Sequence, residues 1–145
     1  QAHLFNLLLA ERLENMGQLL NGDLAIKHEN GAFFLVEDAA LEQPRADALE
    51  ISPSAPLYGF KVRLAKGLPG DHEHELMRQE GLSDDIWRVG HGVRMPGERR
   101  PLRVPLMEEP RVFWDDGIVA EFALPPGAYA TNVIREITKE KSLGD

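Results

Sequence analysis

Apolar positions at helical spacing open the chain. Leu4, Leu7 and Leu8 recur on one face of a helix, and the leucine, alanine, glutamate and arginine around them favour helix. The pattern therefore predicts a helix over residues 1–16, which ends at Gly17.

Two short apolar runs follow, over residues 24–28 and 32–36. They flank Asn30-Gly31, and Asn-Gly between apolar runs is the strongest short hairpin signal, so two antiparallel strands are predicted. Asp38 then has the side chain of a helix cap, which predicts a short helix over residues 38–49.

Proline and glycine punctuate the middle of the chain. The stretch ISPSAPLYG at residues 51–59 contains two prolines and predicts a loop. Residues 67–70 (Gly-Leu-Pro-Gly) predict a turn. Two helices with acidic first turns are predicted after it, over residues 71–79 and 83–89.

The last third of the chain returns to strands. Residues 99–107, 110–115 and 118–124 predict three strands, the last with every second residue apolar and hence one buried face. A turn at Asp116-Gly117 joins the final pair, and a helix is predicted over residues 128–141. Because the strands cluster in hairpins, the predicted class is α+β, with mostly antiparallel strands and flanking helices.

Composition narrows the functional classes. The chain has 145 residues, a size typical of one domain, and no cysteine, which excludes a disulfide scaffold and a thiolate zinc site. The longest apolar stretch, at residues 4–10, is too short to span a bilayer. The net charge of −8 argues against a simple basic nucleic-acid binder.

The charge is unevenly distributed. Residues 71–85 hold six acids and one base, whereas residues 88–103 hold five arginines and one acid. These arginines either neutralise the neighbouring acids or bind phosphate through forked hydrogen bonds. The candidates for phosphate contacts are Arg94, Arg99, Arg100 and Arg103.

Other candidate chemistry is poorly supported. In His72-Glu73-His74-Glu75 the two histidines would point about 200° apart on a helix, so the segment predicts a solvated first turn and no metal site. Neither a GxSxG nucleophile motif nor a P-loop occurs. The paired carboxylates all fall in acidic runs that are expected at the surface.

A more specific segment is LPPGAYATNVIRE at residues 124–136. A predicted strand ends there, a rigid Pro-Pro-Gly turn follows, and Tyr129 falls in the first turn of a helix between two small residues. Tyr129 either stacks on a nucleobase or packs under the sheet.

This segment is similar to the C-terminal signature of the tRNA pseudouridine synthase D (TruD) family. Four further stretches resemble motifs of that family, in the same order along the chain. They are HLFNLLLAERL at 3–13, Asn21-Gly22-Asp23, ISPSAPLYG at 51–59 and Arg99-Arg100-Pro101-Leu102-Arg103.

The resemblance implies an enzyme that isomerises the uridine at tRNA position 13 to pseudouridine, with a catalytic aspartate and neither cofactor nor metal. It implies that residues 1–107 are mostly the TruD-type insertion domain and that residues 108–145 return to the catalytic domain. Tyr129 occupies the place of the family's uridine-pocket aromatic residue, although Ala128 replaces the usual serine. The implied partner is tRNA, and the implied location is cytoplasmic.

The family's GxKDxxAxTxQ and NxFGxQRFG motifs are missing from this sequence. The chain therefore resembles the C-terminal part of a TruD protein whose N-terminal portion carries the nucleophile, and its start without Met or helix cap agrees with this. The chain by itself is expected to be inactive. The alternative is a non-catalytic module of the same family that binds RNA or another protein.

Overall fold

The computed structural model describes residues 2–81, 96–106, 109–124 and 133–135. The chain divides into two compact units, Gln1–Arg103 and Val104–Asp145. Their assignment to an insertion domain and a catalytic domain stays a prediction. The predicted helix at 83–89 lies outside the described residues, and of the predicted helix at 128–141 only residues 133–135 are described, as helical.

The first unit combines helices with one antiparallel sheet. Its helices are α1 (Ala2–Glu11), α2 (Ala39–Asp47) and α3 (Gly67–Gln79), with a 3-10 turn at Leu13–Asn15 after α1. Its strands are β1 (Leu24–Lys27), β2 (Phe33–Leu35), β3 (Ile51–Leu57) and β4 (Glu98–Pro101). The order across the sheet is β2-β1-β3-β4, and every pair is antiparallel.

The predicted hairpin of β1 and β2 is confirmed. Ile26 pairs with Phe33, and the Lys27 N–H donates to the Ala32 carbonyl at 2.8 Å. Gly31 has a φ of +75°, a conformation that glycine adopts without a Cβ penalty. The predicted cap is also present, because the Asp38 carboxylate accepts a hydrogen bond from the Leu41 N–H at 3.3 Å.

The prediction of a loop over residues 51–59 is wrong. Residues 51–57 form β3, a central strand whose seven residues are all buried. Proline lacks an N–H but keeps its carbonyl, and the Pro53 carbonyl accepts the Leu102 N–H at 2.9 Å. The extended backbone that proline favours is also compatible with a strand, so burial between two neighbouring strands outweighed the missing donors.

The predicted turn at residues 67–70 is wrong as well. These residues form the first turn of α3, which begins four positions before the predicted start at Asp71. Pro69 fits there because the N–H groups of a first helical turn have no partner within the helix. The Gly70 N–H donates to the Lys66 carbonyl at 3.1 Å, which closes that turn.

Two apolar clusters hold the first unit together. One gathers buried residues of α1, α3 and the end of the sheet, namely Leu4, Leu8, Ala55, Tyr58, Leu76 and Leu102. The other lies under α2 and contains Leu19, Ala25, Val36, Ala46 and Ile51. Strand β3 contributes to both clusters, so it is the structural centre of the unit.

The second unit contains a two-stranded hairpin. Strands β5 (Arg111–Trp114) and β6 (Ile118–Glu121) pair in register, with Val112 opposite Ala120. Asp116 and Gly117 both have positive φ, as the predicted turn requires. The predicted buried face of the last strand is not present at its start, because Ile118 is 77% exposed.

Candidate functional site

The sequence singled out five site residues, and three of them lie in the described part of the chain. Tyr129 and Arg94 fall outside the described residues. Arg99, Arg100 and Arg103 lie on or just after β4, but the structure gives them different surroundings. The arginine cluster is therefore not one continuous phosphate-binding surface in the described part of the chain.

Arg99 points into the first unit. Its Nη1 lies 2.7 Å from the Glu73 carboxylate, and only 1% of its side chain is exposed. Its Nε donates to the Ser54 hydroxyl at 3.0 Å and its Nη2 to the Ser54 carbonyl at 2.8 Å. A buried guanidinium with these protein acceptors is withdrawn from RNA, so we assign Arg99 to the interior and not to phosphate contacts.

Glu73 corrects the prediction of a solvated helical turn at residues 72–75. Its side chain is 5% exposed, and its second oxygen accepts the Ala65 N–H at 2.7 Å. Burial raises the pKa of Glu73, and the nearby Arg99 opposes that rise. Burial likewise lowers the pKa of Arg99. The pair is thus a desolvated ion pair that joins α3 to β4.

A sequence signal for buried Glu73 existed. The buried residues of α3 are Pro69, Gly70, Glu73 and Leu76, which repeat at helical spacing. A carboxylate in register with an apolar stripe indicates burial, even when acids surround it in sequence. No pattern in the sequence identifies Arg99 as the partner of Glu73, because the two residues are 26 positions apart.

Arg103 is half-buried beside α2 and β3. Its Nε donates to the Ser52 hydroxyl at 3.0 Å, and its Nη2 donates to the Ala46 carbonyl. Ser52 also lies 2.7 Å from Nε2 of His28. These bonds tie the end of β4 to the rest of the unit.

Arg100 is the arginine of β4 that faces solvent. Its Nε lies 3.1 Å from the carboxylate of Glu98, and both side chains are exposed. Exposed pairs of this kind are weak, so the guanidinium can exchange its partner for another anion. Of the predicted phosphate contacts, Arg100 keeps the geometry that such a contact needs.

A second ion pair, between Arg12 and Asp23, lies next to the first. Nη1 and Nη2 of Arg12 lie 2.7 and 3.0 Å from the two oxygens of Asp23, a bidentate arrangement. The Asp23 side chain is 1% exposed and also accepts the Leu20 N–H at 2.8 Å. The pair ties the start of β1 to the end of α1.

The two ion pairs lie at a cavity of about 210 Å³ within the first unit. Its apolar lining includes Leu8, Leu20 and Leu102, and its polar lining includes Glu73 and Asp23. The sequence did not indicate this cavity, because its walls come from four separate parts of the chain. These are α1, β3, α3 and the segment that precedes β1. Exposed polar residues of α1, the 3-10 turn and α3 also line it, namely Glu11, Asn15 and His72.

The described residues contain neither a metal-ligand cluster nor a membrane-spanning helix. No group of three or more histidine, aspartate or glutamate side chains there could hold a metal ion. Within the same residues, no helix is long and apolar enough to cross a bilayer.

Comparison with known proteins agrees with this architecture. A crystal structure of a protein assigned as tRNA pseudouridine synthase D from Methanosarcina mazei superposes with a TM-score of 0.75. The match covers 95% of this chain and 36% of that one at 24% identity, which confirms the α+β fold.

Sequence relatives extend the match. The chain is 50% identical over 139 residues to tRNA pseudouridine synthase D of Syntrophotalea carbinolica, and 48% identical over 140 residues to that of Geobacter metallireducens. Both alignments cover 96% of this chain but only 35% and 34% of the relatives, so the chain spans about a third of their length. The family model described as tRNA pseudouridine synthase D matches residues 1–137. The chain therefore belongs to the tRNA pseudouridine synthase D (TruD) family.

Proposed function

We propose that the protein containing this chain converts the uridine at position 13 of tRNA to pseudouridine. The family match over residues 1–137 carries this proposal. The partners are tRNA and the N-terminal catalytic portion, which would supply the nucleophilic aspartate. No cofactor or metal has a part in it, and the place of action is the cytoplasm, where tRNA is available.

In this proposal the chain shapes the substrate site and does not perform the chemistry. Tyr129 would stack on the uridine once that base has left the RNA stack. The resemblance of residues 124–136 to the family signature supports this role. Tyr129 has a small residue on each side in the sequence, and such side chains would leave room for a flat ring to approach.

RNA phosphates would be held by exposed arginines. The Arg100 side chain is half-exposed and pairs with the exposed carboxylate of Glu98, which supports a role in phosphate contacts. Arg94 remains a candidate from its place in the arginine run. Arg99 and Arg103 are left out, because protein acceptors engage their guanidinium groups.

The decisive experiment uses the full-length protein and an unmodified tRNA transcript. Pseudouridine is mapped along the transcript after incubation. We expect it at position 13 with the full-length protein and none with the chain 1–145 alone. A full-length protein that binds tRNA and forms no pseudouridine would contradict the proposal and favour the non-catalytic module.

A further inference from the structure

The cavity of the first unit is a candidate binding site in its own right. It holds about 210 Å³. For comparison, a protein cavity of about 150 Å³ accepts a benzene ring. The space therefore suits one substituted aromatic ring and is too small for a dinucleotide.

The buried carboxylates at the floor of the cavity already have hydrogen-bond partners. Asp23 accepts two hydrogen bonds from Arg12 and one from the Leu20 N–H. Glu73 accepts from Arg99 and from the Ala65 N–H. Since these buried carboxylates already have their partners, they hold the floor rigid and leave no strong demand for a bound ion.

The charge of the site argues against an anion. Three carboxylates (Glu11, Asp23 and Glu73) face two guanidinium groups, Arg12 in the lining and Arg99 behind Glu73. The formal balance is negative, so a phosphate group would be repelled. A neutral ring would meet apolar walls at Leu8, Leu20 and Leu102 without a charge penalty.

The rim offers hydrogen-bonding groups that suit a planar, neutral ligand. Asn15 and Gln18 are exposed residues of the lining, and side-chain amides can both donate and accept hydrogen bonds. Glu11 and His72 also line the cavity, with Oε2 and Nδ1 3.8 Å apart and about half of each side chain exposed. Unpaired RNA bases are recognised through such contacts to their edges together with apolar contact to their faces.

We propose that this cavity binds one unpaired nucleobase of the tRNA substrate, at a site separate from the uridine that reacts. The inference rests on the proposed function for the identity of the RNA. The base enters with its ring between the apolar walls and its edge at Asn15 and Gln18, while its phosphates stay outside. The site would position the tRNA and take no part in the reaction.

The test is a double-mutant cycle between protein and RNA in the full-length protein. Gln18→Trp fills the cavity from its exposed rim, and Gln79→Trp, at an exposed glutamine of α3 outside the cavity, is the matched control. Dissociation constants are measured for tRNA transcripts that each lack one base. We expect one abasic position to weaken binding by about fivefold or more with the native protein and with Gln79→Trp. The same position should have no further effect with Gln18→Trp.

Additive effects at every abasic position would overturn the base site. Gln18→Ala removes the amide without adding bulk, and it replaces the tryptophan variant in the cycle if that variant fails to fold. Unchanged affinity of Gln18→Trp for the intact tRNA would also overturn the proposal, because filling the cavity would then displace no base. Failure of the proposed function has a different signature, the absence of pseudouridine with the native protein.

Discussion

Arg99 and Glu73 form a buried ion pair with 2.7 Å between Nη1 and Oε1, although the residues on either side of each in the sequence are exposed. Each side chain has further protein partners, so the pair is a fixed joint between β4 and α3. Removing one partner of a buried pair leaves an uncompensated charge, which costs far more than losing a surface pair.

Arg99→Met should therefore lower the free energy of unfolding of the chain by about 3–5 kcal/mol. Denaturant unfolding measures this change. Arg100→Met is the matched control on the same strand and should change stability by less than about 1 kcal/mol. Equal effects of the two substitutions would contradict the assignment of Arg99 to the interior.

Gly22→Ala should destabilise the chain more than Gly31→Ala does. Both glycines have positive φ, which costs a side-chain-bearing residue about 1–2 kcal/mol. A Cβ at Gly22 would also collide with the Lys66 backbone, whereas one at Gly31 would meet nothing within 4 Å. Thermal unfolding of the two variants checks the order, and a larger loss for Gly31→Ala would contradict the packing at the start of α3.

Stability should fall on acidification through His28. Burial, and then the charge of Arg103, lower the pKa of His28 from its ordinary value of 6.5. Because its pKa is lower in the folded state, His28 binds a proton more readily in the unfolded chain. The contribution of His28 to stability is therefore fully present above pH 6.5 and is lost as the pH falls through the folded-state pKa. Unfolding measured against pH should show a shallower acid loss for His28→Gln. Identical profiles would remove His28 from this role.

Tyr129→Ala in the full-length protein should reduce pseudouridine formation on tRNA. Loss of one stacking contact is worth about 1–3 kcal/mol, which corresponds to a reduction of about fivefold to 150-fold. Tyr129→Phe keeps the ring and should stay close to native activity. Single-turnover assays on one transcript compare the native protein with the two variants. Native activity in Tyr129→Ala would contradict a stacking role for Tyr129.

Arg100→Ala should reduce the salt dependence of tRNA binding. Each phosphate contact that is lost lowers the slope of log affinity against log salt by about one. Arg78→Ala is the control, since Arg78 is an exposed arginine that pairs with Glu75 on α3. Titrations of the full-length protein at several salt concentrations give the slopes. An unchanged slope for Arg100→Ala would exclude it from phosphate contact.

The sequence by itself determined the features that depend on neighbouring residues. Asn30-Gly31 specified the first hairpin and Asp38 the cap of α2, because turn and cap geometry involve a few adjacent backbone groups. Clustered hairpin patterns also predicted the α+β class correctly. The ordered motifs identified the family, since several short matches in one order are far more specific than any one of them.

Only the tertiary structure decided what is buried. Residues 51–57 are proline-punctuated yet form the central strand, because pairing with β1 and β4 on both sides compensates for the missing N–H groups. Glu73 and Arg99 lie in charged stretches of sequence that predict exposure. They nevertheless meet in the interior, although 26 positions separate them in the chain. The cavity beside them is also a product of tertiary packing, because its walls come from elements far apart in the sequence. No local sequence pattern predicts where packed elements leave space between them.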